Sequence, residues 1–371
     1  MKEIINKIGL KKIITSICIL VGIIILFIGG ALIYNKFFYK KSYNEIEEIM
    51  TKATQKYYEK NEKKLPKEEG QTLTIEVKEL VKKEYMKPIS EYLKDEKIKC
   101  SGSINVTNLN KKYRYTPILD CDKDYKTKIL TEYIKNNVEI VTDKEGLYEY
   151  NNELVYRGEL INNYLEFANE IWRIIKISED KTYIILNNTI KNDTIRMWDN
   201  RYNEQKKLRL GINDYKVSRA REYLNEIYKD NKLFSNDDKL LITNYNVYIG
   251  KRTPTDEDKS GLTEKKVILE NEYIGLLPAY DYINASVDTN CKSLSTKSCN
   301  NYNYLIGKEK SWWLGTGNSL NTDEVYKIES GNNITSSKAN TGAYLKPVIA
   351  LAKDTIYVEG NGTKENPYKV K

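Results

Sequence analysis

The residues with most chemical reach in this chain are five Cys, four Trp and a few clustered carboxylates. No His occurs among the 371 residues. That removes Ser-His-Asp and Cys-His catalysis, His-ligated zinc and the usual neutral-pH switch. Acid–base work would fall to carboxylates, Lys or Tyr. Three acidic groups stand out: Asp120, Asp122 and Asp124; Asp256, Glu257 and Asp258; and Asp193, Asp199 and Glu204 around Trp198. Calcium wants six or more oxygens, and a helix–loop–helix calcium loop wants Gly at its sixth position and Glu at its twelfth. Counted from Asp120, those positions hold Tyr125 and Thr131. The first two groups therefore read as solvated loop charge, and no metal or other cofactor is expected. The third has the residue types of a glycosidase pair, but that chemistry depends on a separation that sequence does not give. A polar loop is the plainer reading, and the chain is expected to be non-enzymatic.

Trp172, Trp312 and Trp313 are the candidate ligand-binding residues, because an indole face stacks on a sugar ring. The same residues also serve as core packing. Adjacent residues of a strand point to opposite faces, so at most one of Trp312 and Trp313 faces a ligand.

Cys18 lies in an apolar run, and the other four Cys fall into two local pairs. Cys100 and Cys121 flank a hairpin-like stretch whose turn centres on Asn110-Lys111, with Ile104 and Val106 on one face. Cys291 and Cys299 bracket a polar Ser/Thr loop. Disulfides are expected at both; for Cys291 and Cys299 free thiols or metal ligands are the alternatives, and no Cys-x-x-Cys spacing supports metal. Two such pairs point to an oxidising compartment.

Residues 13–34 carry no charge. As a helix, that run rises about 33 Å, enough to cross a bilayer. A cleaved signal peptide is the alternative, but the run exceeds an ordinary signal core. The expected layout is a cytoplasmic tail (1–12), a transmembrane helix (13–34) in contact with the lipid bilayer, and an extracellular remainder. The protein would then be a single-pass protein of the cell membrane. The first 41 residues hold seven Lys and one acid, and the rest is nearly balanced, with 53 basic and 51 acidic residues. Without a concentrated basic face, nucleic-acid binding is rejected.

The elements that would position these residues are legible in part. Ser42 and Glu45 form a capping box ahead of Ile46, Ile49, Met50, Ala53 and Tyr57, which recur at helical spacing. That helix either starts there or runs unbroken from the membrane. A second helix is expected over 74–86. Residues 147–156 read as a hairpin turning on Asn151-Asn152, and residues 172–186 as another turning at 178–181. A helix over 218–229 would be capped by Ser218, with Tyr223, Leu224, Ile227 and Tyr228 facing inward.

Residues 42–136 resemble the outline of a type IV pilin, a long N-terminal helix plus a small antiparallel sheet. The prepilin processing signal is absent: Gly9 is followed by Leu10, Lys11, Lys12, Ile13 and Ile14, with neither Phe nor Glu in place. Residues 145–371 carry Asn162-Asn163-Tyr164, Trp172-Arg173-Ile174-Ile175, Gly275-Leu276-Leu277, Trp312-Trp313-Leu314, Pro347-Val348 and Gly360-Asn361-Gly362-Thr363 with Asn366-Pro367-Tyr368. In that order the motifs resemble a bacterial surface-domain family similar to C-type-lectin-like folds, including its sulfatase-modifying branch. Lys346 stands where that family has Arg before Pro-Val, and no Cys follows Cys299. The resemblance implies an α+β chain: transmembrane helix, pilin-like domain (42–136) and C-type-lectin-like domain (145–371). It implies a cell-surface binding or adhesion protein whose ligand is a glycan, a cell-wall polymer or another extracellular protein. The alternatives are a minor component of a pilus-like or secretion assembly and an extracellular enzyme of the sulfatase-modifying type.

Overall fold

The computed structural model describes residues 20–25, 40–109, 112–295, 299, 302–305, 310–329 and 334–371. Among them, no helix is long and apolar enough to cross a membrane. This corrects the expected transmembrane helix, the single-pass topology and the bilayer contact drawn from it. Of residues 13–34, only 20–25 are described, as helix, and the remainder of that expectation lies outside the described residues. The fold class is corrected with it: the described chain is a mixed α/β structure in which strand predominates.

The chain divides into two compact units. The first comprises Met1–Leu65, Leu73–Val106 and Pro117–Lys126. Helix α1 (Tyr43–Glu59) opens with the capping box: Ser42 N donates to Glu45 Oε2 at 2.8 Å and Glu45 N to Ser42 Oγ at 3.3 Å. Two amides that lack helical partners are satisfied this way. Ile46, Met50, Ala53 and Tyr57 form its buried face. Strands β1 (Thr72–Glu76), β2 (Ser101–Leu109) and β3 (Lys112–Asp120) follow as one sheet in that order, with Thr72 and Thr107–Thr116 counted in the second unit. A Cβ on Gly102 of β2 would sit 2.9 Å from Met50 Cε, so glycine here admits the helix. The expected helix over 74–86 is shorter, α2 (Val77–Lys82), and β1 takes up Thr74 to Glu76. The β-branched Thr72, Thr74 and Ile75 favour extended backbone. Cys100 and Cys121 are bridged across the hairpin, and Ile104 and Val106 are fully buried.

The second unit comprises Pro66–Thr72, Thr107–Thr116 and Thr127–Lys371. Its elements begin with β4 (Lys128–Ile129), α3 (Leu130–Asn137), β5 (Gly146–Tyr150), β6 (Glu153–Arg157), β7 (Tyr164–Phe167), β8 (Glu170–Ser178) and β9 (Lys181–Leu186). They continue with β10 (Arg196–Met197), α4 (Arg219–Lys229), α5 (Asp238–Leu241), β11 (Ile242–Thr243), β12 (Tyr245–Tyr248), β13 (Ile268–Glu272), β14 (Gly275–Leu276) and α6 (Ala279–Asn284). The last are β15 (Trp312–Gly317), β16 (Glu324–Ile328), β17 (Ile334–Lys338), β18 (Gly342–Ala343), β19 (Pro347–Leu351), β20 (Ile356–Glu359) and β21 (Tyr368–Val370).

An 11-stranded sheet organises the unit, in the order β11-β19-β9-β8-β7-β21-β20-β4, with β6 also on β8, β5 on β6 and β14 on β19. The pairings are antiparallel except β7 with β21. A smaller sheet, β15-β16-β17, carries the two adjacent Trp. Both expected hairpins form: Asn151 and Asn152 turn β5 into β6, and Glu179 and Asp180 turn β8 into β9, all four at positive φ. Helix α4 starts at Ser218, whose Oγ accepts from Arg221 N at 3.1 Å.

The separated motifs meet in space. Asn163 donates to Ile174 O at 2.7 Å and accepts from Arg173 Nε. Tyr164 N donates to Gly362 O at 2.9 Å, and Tyr368 pairs with Leu165. Gly360 has φ +100°, and a Cβ there would lie 2.0 Å from Pro367 O. Only glycine fits that bend.

Candidate functional site

Strand β8 is buried along most of its length, and its apolar run is interrupted by Lys176. Ile174 faces Ile184 on β9, but Lys176 faces Tyr183, so Ile175 is an extra residue. This bulge re-aims the side chains that follow it, and Lys176 becomes the cross-strand neighbour of Tyr183. Its amine donates to Tyr280 Oη at 2.9 Å, Asp281 Oδ1 at 3.1 Å and Glu153 Oε2 at 3.3 Å. Glu153 comes from the start of β6, and Tyr280 and Asp281 from the first turn of α6. The amine carries 4% side-chain exposure, Asp281 7% and Glu153 16%.

One cation thus lies between two carboxylates. Burial alone would push the Lys176 amine down, but Asp281, Tyr280 and Glu153 outweigh it and hold the ammonium well above its ordinary range. Asp281 is pushed up, first by burial and then by Glu153, against the pull of Lys176. The two directions agree physically, because a single cation cannot neutralise both carboxylates. Burial also raises the Tyr280, Tyr183, Tyr245 and Tyr248 hydroxyls, so all four stay neutral and protonated.

These groups line a small, shallow cleft that opens to solvent. Tyr183 and Tyr248 are its half-buried walls, Tyr245 and Tyr280 lie deeper, and Glu179 and Asn246 stand exposed at its rim. The Lys176 amine lies 4.9 Å from the Tyr280 ring and 5.5 Å from that of Tyr183; Lys265 lies 5.4 Å from that of Tyr248. Aromatic faces beside fixed donors and acceptors suit a polar, hydroxyl-rich molecule.

Trp172, Trp312 and Trp313 sit elsewhere, each 1% exposed or less. Trp172 stacks on Phe234 and donates to Phe167 O at 2.9 Å; Trp313 donates to Arg196 O at 3.0 Å. Protein atoms cover all three rings. The acidic groups are likewise committed. Asp258 accepts from Ser260 N and Thr263 N, and Asp256 from Asp258 N, which closes their own loop. Asp199 caps the backbone at Arg201, Ile212 and Arg219, while Asp193 binds Arg196 and Tyr223. Glu204 is exposed, and Asp120 pairs with Lys126 at 3.1 Å. Cys291 and Cys299 are bridged beside Asp288; an oxidised pair offers no thiolate to a metal.

Sequence reasoning passed over Lys176, Glu153, Tyr280 and Asp281. The available signal was Lys176 itself, a charge inside Trp172-Arg173-Ile174-Ile175-Lys176-Ile177. A long cation on a buried strand needs partners. A search against protein-family models finds no match, and neither do searches against curated proteins and solved structures.

Proposed function

We propose that the chain is a non-enzymatic binding protein and that its second unit takes a glycan, such as a sugar of a cell-wall polymer, in the Tyr183–Tyr248 cleft. The observation that supports this best is the pairing of half-buried aromatic walls with a fixed Lys, carboxylate and hydroxyl network in one open cleft. Rings of this kind cover the apolar face of a sugar, and the exposed Glu179 and Asn246 at the rim are placed to hydrogen-bond its hydroxyls, with the buried Lys176 network fixing the cleft wall beneath them. The motif resemblance to C-type-lectin-like domains favours the same reading, on analogy of fold alone. The two disulfides fit an oxidising compartment, where such polymers occur. The lack of His and the structural commitments of the acidic groups weigh against a hydrolase.

The test is binding of the full chain to a glycan panel and to purified cell wall. Saturable binding is expected, weakened at least roughly tenfold by Tyr248→Ala or Tyr183→Ala with circular dichroism unchanged, which is the scale of one lost aromatic contact. Binding that survives both substitutions would move the ligand away from the cleft.

A further inference from the structure

Two buried cations of the second unit lack a counter-charge. They are Arg173 on β8 and Lys346, which leads into β19. Among the described residues, no carboxylate pairs with either. The charged neighbour acting on Lys346 is Arg173, of like sign, and the groups acting on Arg173 are the Tyr164 and Tyr304 hydroxyls. We propose that this cluster holds a small inorganic anion, with chloride as its ordinary occupant. This does not depend on what the cleft binds.

Strand register brings the two cations near each other. Arg173 stands opposite Ile185 on β9, and Ile185 opposite Val348 on β19, two residues past Lys346. Arg173 is fixed by neutral acceptors: its Nε donates to Asn163 Oδ1, and Nη2 to Ile161 O at 3.3 Å. Its guanidinium lies 3.8 Å from the Tyr164 ring and 4.9 Å from that of Tyr304. The Lys346 amine lies 5.1 Å from the Trp312 ring. Two further polar atoms of these same rings are orphans. Trp312 Nε1 and Tyr304 Oη are buried and make no hydrogen bond.

What these groups share decides the guest. An ammonium, a guanidinium and an indole N–H only donate, and a phenol can donate as well as accept. Leaving buried charges and donors unanswered is strongly unfavourable. One monovalent anion meets both needs: it sets a negative charge beside two positive ones, and it accepts from the orphan N–H and O–H. A cation would add to the charge imbalance, and a neutral guest would leave it standing. Size follows from enclosure. Arg173, Lys346, Trp312 and Tyr304 are each more than nine-tenths buried, so the guest must be small and must enter stripped of most of its water. A halide fits this better than a phosphate or a sugar acid, which keep water more tightly or need more room. Without the anion, burial and Arg173 push the Lys346 amine down to about 7; with it, the ammonium is held. The anion would tie β8, β15 and the start of β19 together through their side chains.

The experiment is urea unfolding of the full-length protein at neutral pH, with sodium chloride replacing sodium gluconate at constant ionic strength. Gluconate is too large to enter, and urea brings no chloride of its own. The wild-type midpoint is expected to rise with the logarithm of chloride once the site fills, as for a ligand of the folded state alone. Lys346→Met and Tyr304→Phe each remove one donor and keep most of the side chain's bulk. Both should unfold cooperatively in gluconate and need at least about tenfold more chloride for the same rise. Equal wild-type midpoints in chloride and gluconate would overturn the proposal. So would an equal rise in all three proteins, the mark of salt acting at the surface. Glu309 lies outside the described residues, so Glu309→Gln is measured beside them. A chloride response that appears only in Glu309→Gln would mean that a carboxylate of the chain takes the anion's part, and would also end the proposal.

Discussion

Lys346 shows how a residue type can be read correctly and its environment missed. It stands before Pro347, where the resembling family has Arg, and it is 7% exposed, 5.1 Å from the Trp312 ring. Burial, with help from Arg173, pushes its amine down to about 7 from 10.5. Nearby, Trp312 Nε1 and Tyr304 Oη are buried without an acceptor. Between about 7 and 10.5 the unfolded chain holds the Lys346 proton and the folded chain does not, so stability rises with pH across that window. Below about 7 the full cost of burying the amine is present. Lys346→Met should therefore stabilise the fold at pH 7 by on the order of 4 kcal/mol, and by much less near the upper end of that window. Denaturant unfolding at the two pH values checks it; an equal change at both would mean that the amine finds a partner on folding. The substitution of Lys for Arg was visible in the sequence. That it is buried was not, because exposure is decided by strands remote in sequence. Lys176 carries the same lesson: its charge in an apolar run was legible, but its partners on β6 and α6 were not.

At the scale of elements, local patterns held where chemistry is local. The capping box, the Asn-Asn turn, the turn at 178–181 and the Ser218 cap were readable because each is settled by residues a few positions apart. The expected helix over 74–86 failed at its start, where β-branched residues and pairing with β2 outweigh apolar spacing. The bulge in β8 leaves no trace in sequence, since it depends on register against β9. The Cys100–Cys121 bridge stands across a hairpin, and the pair closes 21 residues of sequence. Replacing both with Ser should cost roughly 3 kcal/mol by the chain-entropy account, read as a lower denaturant midpoint with an unchanged slope. No loss of stability would mean that the unfolded chain is already restricted there.

For the whole molecule, the cysteine pairing was legible in the spacing of the four Cys, while the membrane reading is withdrawn. Residues 42–371 are close to neutral, with both signs mixed. A ligand held by ring faces and hydrogen bonds should then bind with little dependence on salt. Affinity for cell wall is expected to change less than about threefold between low and physiological ionic strength, where exposed charges are mostly screened. A steep fall would point to charge-driven adsorption instead. The central claim is that the tyrosine cleft is where the ligand sits. It is tested most directly by hydroxyl-radical footprinting of the full chain with and without saturating glycan. Protection is predicted at Tyr183 and Tyr248, with little change at Trp172, Trp312 and Trp313. Protection confined to other surfaces, or none at saturation, would contradict it.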